Sequence, residues 1–160
     1  MLLCKIYWEN IIGIYQNISE DLDVNFTPYY VGADNRFHVI EQTQELMRSA
    51  DRPDYLLVIL HSAVGESILN LAAEHKVKVI LQSELSVKDY EMMGSLPRMK
   101  YSSWWAHVVS ADFDKGYLLG KSLLEAAKKR EFFAKNGKIH VVGITGGSAW
   151  ASSSLREAAY

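Results

Sequence analysis

Between Tyr7 and Leu22 the apolar residues Trp8, Ile11, Ile12, Tyr15, Ile18 and Leu22 recur at spacings of three and four, the periodicity of one helix face. Asn25 to Val31 then reads as a strand. Asp34-Asn35 offers an N-cap to a second helix, whose stripe Val39, Ile40, Thr43, Leu46 and Met47 stops near Ser49, ahead of Pro53. Tyr55 to Leu60 is a continuous apolar run, the pattern of a strand covered on both faces, which favours a parallel sheet.

A third helix is predicted from Val64 to His75 with Ile68, Leu69, Leu71 and Ala72 inward, and Val77 to Leu81 reads as the next strand. From Gln82 to Ser103 the rhythm breaks, and a loop of about 20 residues inside a compact domain usually serves a function or acts as a lid. Trp105 to Val109 returns to a strand. Asp112 is placed to cap a long helix through Tyr117, Leu118, Leu119, Leu123, Leu124 and Ala127, with Glu125 and Lys129 spaced for an ion pair along it. Lys138 to Thr145 reads as a last strand, followed by Gly146-Gly147 and a helical segment from Ser152 to Tyr160.

Strands and helices in alternation imply an α/β fold with a doubly wound parallel sheet and right-handed crossovers. Ligands of such sheets sit beyond the carboxyl ends of the strands, so the residues that follow each strand are the candidates for chemistry.

Composition narrows the function. The 160 residues are 49% hydrophobic and 22% charged with only 3 Pro and 10 Gly, an ordinary globular composition. Seventeen Lys plus Arg against nineteen Asp plus Glu give a formal charge of -2, with no excess of positive charge for a nucleic acid backbone. Cys4, the single cysteine, supports neither an internal disulfide nor a multi-thiolate zinc site. Met1 to Ile6 lacks the basic, apolar and small-residue segments of a signal peptide, and no apolar run reaches the ~18 residues of a membrane span.

Thr145-Gly146-Gly147-Ser148 stands between a predicted strand and helix, where a dinucleotide fingerprint belongs. Trp150 and Ser152 occupy positions where glycine would be needed, and no Gly-Lys-Ser or Gly-Lys-Thr opens the helix, so the pair reads as a turn. His38, His61, His75, His107 and His140 have no helical pairing or neighbouring carboxylate at metal spacing, so no metal site is predicted. His61 ends the Tyr55 strand, and reads equally as a ligand contact or as a loop histidine satisfied by backbone. No G-x-S-x-G elbow surrounds Ser62 or Ser67, and no catalytic residue is assigned. Trp8, Trp104, Trp105 and Trp150 lie at element ends, where a flat apolar ring either packs in the core or stacks on a sugar. Arg156, in the last predicted helix, is either a solvated cation or a fork that holds hydroxyls or a carboxylate.

Several segments together carry a family resemblance: Tyr7-Trp8 in the first helix, Arg52-Pro53-Asp54-Tyr55-Leu56-Leu57, Ser110-Ala111-Asp112 through Gly116-Tyr117-Leu118-Leu119-Gly120-Lys121, Gly137-Lys138-Ile139-His140, and Ser152 to Arg156. In this order the chain resembles the type I periplasmic substrate-binding proteins, in particular the sugar-type ABC transporter solute-binding group, from about Tyr7 to Tyr160. The resemblance implies two similar α/β lobes that close over a ligand. Residues 1–110 would form the N-terminal lobe, and residues 111–160 the crossover helix and the start of the C-terminal lobe. It also implies an aromatic stacking role for Trp8, polar ligand contacts at Gln82 and Ser83, a crossover position for Asp112, and a ligand-bonding arginine at Arg156.

The chain departs from that family in three ways. Only six residues precede Tyr7, so the first strand is either shortened into Met1 to Ile6 or missing. The rest of a second lobe would lie after Tyr160, and a frequent Asp-Arg pair is replaced by Gln82-Ser83. The resemblance implies binding of a small polar solute, a sugar or related compound, without a cofactor or bond chemistry. It would act as a periplasmic or extracytoplasmic monomer that serves an ABC permease. A ligand-sensing module of a membrane receptor is the alternative. A Rossmann-type oxidoreductase using NAD(P) ranks last, because the glycine spacing fails.

Overall fold

The computed structural model describes residues 2–31, 37–60, 63–143, 156 and 158, with side chains from residue 7 onward. The chain divides into two compact units, Met1–Gly32 and Ala33–Tyr160.

The first unit is built on α1, Leu2–Asp21. It starts ahead of the expected Tyr7 because Leu2 to Ile6 contain no glycine or proline to stop it, so these residues are helix and not a shortened first strand. Asp23 takes a left-handed φ of 53°, and the Val24 N–H closes the last turn on the Ser19 carbonyl at 2.9 Å. The strand expected at Asn25 to Val31 does not form. Pro28 removes a ladder donor, and the segment instead brings Phe26 edge to face with Tyr15 at 5.7 Å.

The second unit follows the α/β plan. Its elements are α2 (His38–Arg48), β1 (Tyr55–Val58), α3 (Gly65–Glu74), β2 (Lys78–Leu81), α4 (Val87–Met93), β3 (Trp104–His107) and α5 (Asp112–Lys129). The strands form a parallel sheet in the order β1-β2-β3. Tyr55 lies opposite Lys78 and Val58 opposite Leu81. Between β2 and β3 the register slips, with Val79 opposite Trp104 but Ile80 opposite Ala106, so Trp105 is the extra residue of a bulge.

The core lies on one face of this sheet. Its buried residues are Val58, Val79, Leu81 and Trp104 of the sheet, Val39, Thr43 and Met47 of α2, and Ile68, Leu69 and Ala72 of α3, at the helical spacing predicted for the two helices. Each large apolar side chain buried here contributes roughly 1.5–3 kcal/mol. Helix α3 packs on α2, α4 and β2. On β1, burial alternates instead of covering both faces, and Tyr55 and Leu57 remain exposed. The continuous apolar run is therefore not covered as its pattern implied.

Three further expectations are corrected. Residues 82–103 are not one open loop, because Ser86 and Asp89 form a capping box that starts α4. Asp112 does not cap α5; Ala111 holds that position and Asp112 is the first helical residue. Residues 138–143 pair with no strand among the described residues. An Asn136-Gly137 turn, with Gly137 at φ 73° and the Ala134 N–H on the Lys138 carbonyl at 2.8 Å, turns the chain locally, and Val141 and Val142 stay exposed. The expected cap at Asp34-Asn35 and the Gly146-Gly147 turn lie outside the described residues, as does most of the last helix, of which Arg156 and Ala158 are helical.

Candidate functional site

Beyond the carboxyl ends of β1, β2 and β3 the connecting segments are tied to one another by polar side chains. Ser83 follows β2 and links both neighbours: its Oγ accepts the Leu60 N–H at 3.2 Å, and its carbonyl accepts His107 Nε2 at 2.7 Å. A carbonyl can only accept, so Nε2 carries the proton. Gln82 Oε1 is buried and has no hydrogen-bond partner, an acceptor left open at the end of the central strand. Glu84 Oε1 lies 3.4 Å from the Asp112 N–H and so joins this segment to the first residue of α5. Burial, and then the negative charge of Glu84, raise the phenol of Tyr90 above its ordinary value.

Asp112 is the most enclosed charge in this region, its side chain only 3% exposed. Its Oδ1 accepts Arg156 Nε at 2.9 Å and Nη2 at 2.6 Å, and Lys115 Nζ stands 3.9 Å from the same oxygen. The arginine side chain is 52% exposed. Two of its five N–H donors are held by Asp112, which fixes the guanidinium plane and leaves the others able to bond an incoming oxygen.

Of the residues singled out from sequence, Gln82 and Ser83 follow β2, and Asp112 is bonded both to Glu84 of that segment and to Arg156. Ser83 is committed to a structural contact through its acceptor lone pair, with its own hydroxyl proton free to be donated. Trp8 belongs to the first unit, where it is half-buried and meets Tyr7 edge to face at 4.9 Å. His61 lies outside the described residues. Sequence reasoning missed Glu84 and His107 as members of this network. His107 stands in the middle of the strand expected at Trp105 to Val109 but ends the observed β3, so the strand-end rule that selected His61 passed over it.

A second polar cluster joins α3 to the segment before β3. Glu66 accepts from the Tyr101 hydroxyl and from Lys100 Nζ at 3.3 Å, and Lys100 also donates to the Met92 carbonyl. The Tyr101 bond, reinforced by Lys100, holds the Glu66 carboxyl below its ordinary value. The same bond with Glu66 raises Tyr101, and contact with Tyr101 and then Glu66 raises Lys100.

A shallow groove beside α5, lined by Tyr117, Lys121, Leu124, Lys128 and Val141, shares no residue with the candidate site. Among the described residues no group of three or more His, Cys, Asp or Glu side chains could hold a metal ion, and no helix is long and apolar enough to cross a membrane.

No protein-family model and no curated protein matches the chain. Among solved structures it is similar to the crystal structure of a periplasmic sugar-binding protein from Pseudomonas fluorescens, with a TM-score of 0.62 and 23% identity. The likeness covers 89% of this chain and 38% of that one, so the chain spans less than half the length of this neighbour. At this identity the likeness is one of fold. The chain has a mixed α/β fold with a parallel sheet that fits part of a periplasmic binding protein.

Proposed function

We propose that the chain binds a small polar solute, a sugar or related polyol, at the carboxyl ends of β2 and β3, and that it does so as part of a protein that delivers the solute to an ABC permease. The observation that carries this reading is the Arg156 guanidinium, oriented by buried Asp112 and still exposed on its other side. The sugar-binding neighbour supports the choice of solute class. In this reading residues 1–110 belong to one lobe and residues 111–160 begin the other, so Asp112 and Arg156 both belong to the second, and the bond from the Asp112 N–H to Glu84 links it to the first.

The chemistry is reversible binding, with no bond made or broken. Arg156 donates to solute oxygens, with charge-assisted bonds worth about 1.5–3 kcal/mol each. Gln82 Oε1, enclosed and without a partner in this structure, gains one if its amide turns outward to accept a solute hydroxyl. The Ser83 hydroxyl supplies a donor.

The test is a ¹⁵N NMR titration of the chain with D-ribose, D-galactose, D-xylose and myo-inositol. Saturable shifts in residues 82–84 and 107–112 for at least one of these support the reading. Spectra that remain unchanged with all four overturn it.

A further inference from the structure

At the opposite, amino-terminal end of the sheet stands a cluster that the solute site does not use. Tyr55 and Lys78 open β1 and β2 and lie side by side in register. The bulge in β3 leaves Trp105 without a register partner, and its ring stands 5.4 Å from that of Tyr55, edge to face. Lys78 Nζ sits between the two, 4.7 Å from the Tyr55 ring centroid and 4.9 Å from that of Trp105, and bonds the Tyr55 hydroxyl at 3.0 Å. The Arg98 guanidinium lies 5.1 Å from the Trp105 ring.

Arg98 is held there at some conformational cost. Its φ is 66°, in the left-handed region, while its N–H bonds the Trp104 carbonyl at 3.0 Å and its Nε the Trp105 carbonyl at 3.3 Å. Trp105 is 38% exposed and Tyr55 46% exposed, so both rings present area to solvent. Among the described residues neither Lys78 nor Arg98 has a carboxylate partner. Two pre-positioned cations without counter-charge, set around two accessible rings, make a surface complementary to a flat group that carries negative charge.

We propose that Tyr55, Lys78, Trp105 and Arg98 form a second binding site, which takes a planar organic anion: an aryl or heteroaryl group bearing a phosphate or carboxylate. The ring stacks on the exposed aromatic area, and the anion is held by the N–H groups that Lys78 and Arg98 have left. This site is independent of the solute site and stands or falls separately from it.

The experiment titrates the ¹⁵N-labelled chain with phenyl phosphate and follows the Trp105 indole N–H resonance, identified by its loss in Trp105→Phe. Inorganic phosphate and phenol are the two comparison probes. The expected result is a saturable shift with phenyl phosphate at an affinity about tenfold above either comparison probe, and an affinity at least tenfold lower in the Lys78→Met, Arg98→Met double variant. The wild-type affinity is also expected to fall several-fold as salt is raised from about 50 to about 500 mM, which decides the matter should the double variant not fold. No saturable shift, equal affinity for phenol, unchanged binding in a folded double variant, or an affinity independent of salt would each overturn the proposal.

Discussion

Asp112 Oδ1 accepts both the Nε and the Nη2 protons of Arg156, at 2.9 and 2.6 Å, across 44 positions of sequence. One oxygen of a buried carboxylate thus sets the orientation of an exposed cation. The pair joins the start of α5 to the last described segment of the chain, and so serves packing as well as recognition.

That dual role gives a stability prediction. Arg156→Ala leaves the Asp112 carboxylate enclosed without its two charge-assisted bonds, at a cost of about 1–3 kcal/mol. Asp112→Ala removes the buried charge together with its bonds and costs less than Arg156→Ala. Urea denaturation of the two variants checks the order; equal stability of Arg156→Ala and the wild type would show that the pair does not hold the fold.

The Glu66 cluster predicts two pH limbs. The carboxyl lies below its ordinary 4.5 in the folded chain, so the stability it contributes is fully present above about pH 4.5 and is lost as pH falls through the lowered value. Tyr101 and Lys100 lie above their ordinary 10.0 and 10.5, so their contribution is present below about pH 10 and is lost as pH rises through the raised values. Glu66→Gln is expected to flatten both limbs of the urea midpoint plotted against pH. A profile with the wild-type slopes in this variant would contradict the assignment.

Two glycines in helices are expected to respond oppositely to alanine. A Cβ on Gly65 would strike the Sδ of buried Met93 and come within 2.9 Å of Leu60 Cδ1, so Gly65→Ala overpacks the core and costs about 1–3 kcal/mol. Around Gly13 of α1 nothing lies within 4 Å of the added carbon, and Gly13→Ala stabilises by roughly 0.5–1 kcal/mol. Thermal melts of the two variants, expected to shift in opposite directions, check the pair.

Asp89 ties two backbone segments to one carboxylate. Its Oδ1 accepts the Ala63 N–H at 2.8 Å, its Oδ2 accepts the Ser86 N–H at 3.1 Å, and its own N–H completes the cap on Ser86 Oγ at 3.2 Å. Asp89→Ala is predicted to cost about 1.5–3 kcal/mol and to raise amide hydrogen exchange in both 63–65 and 86–93. An increase confined to α4 would mean that the link to Ala63 contributes little.

The elements legible in the sequence are those whose burial pattern is local. The stripe of α2 and α3 and the apolar runs of β1 and β2 announce themselves, because period and burial coincide at Val39, Thr43, Met47, Ile68 and Ala72. Strands at 25–31 and 138–145 are expected from the same apolar content, yet neither 25–31 nor the described part of the second, 138–143, is a strand, because a strand exists only where a neighbour completes its hydrogen bonds, and no residue-level pattern reports that neighbour. Helix α4 had a readable signal in Ser86 and Asp89, hidden inside a polar stretch whose scattered apolar residues gave no period. At the candidate site, strand-end position pointed to the segment from Gln82 onward, and family resemblance assigned Gln82, Ser83, Asp112 and Arg156. Their direct bond was not foreseen. The part played by Glu84 depends on a contact between residues 28 apart, which spacing along the chain does not encode.

The account rests most heavily on Arg156 as a solute-binding group. Isothermal titration calorimetry of the wild type and of Arg156→Ala, with the sugar that gives the strongest NMR response, tests it directly. Loss of one charge-assisted bond predicts affinity lower by about tenfold or more in the variant, with a folded spectrum retained outside the site. Equal affinity in the two proteins would contradict the assignment of Arg156 and with it the placement of the solute beside Asp112.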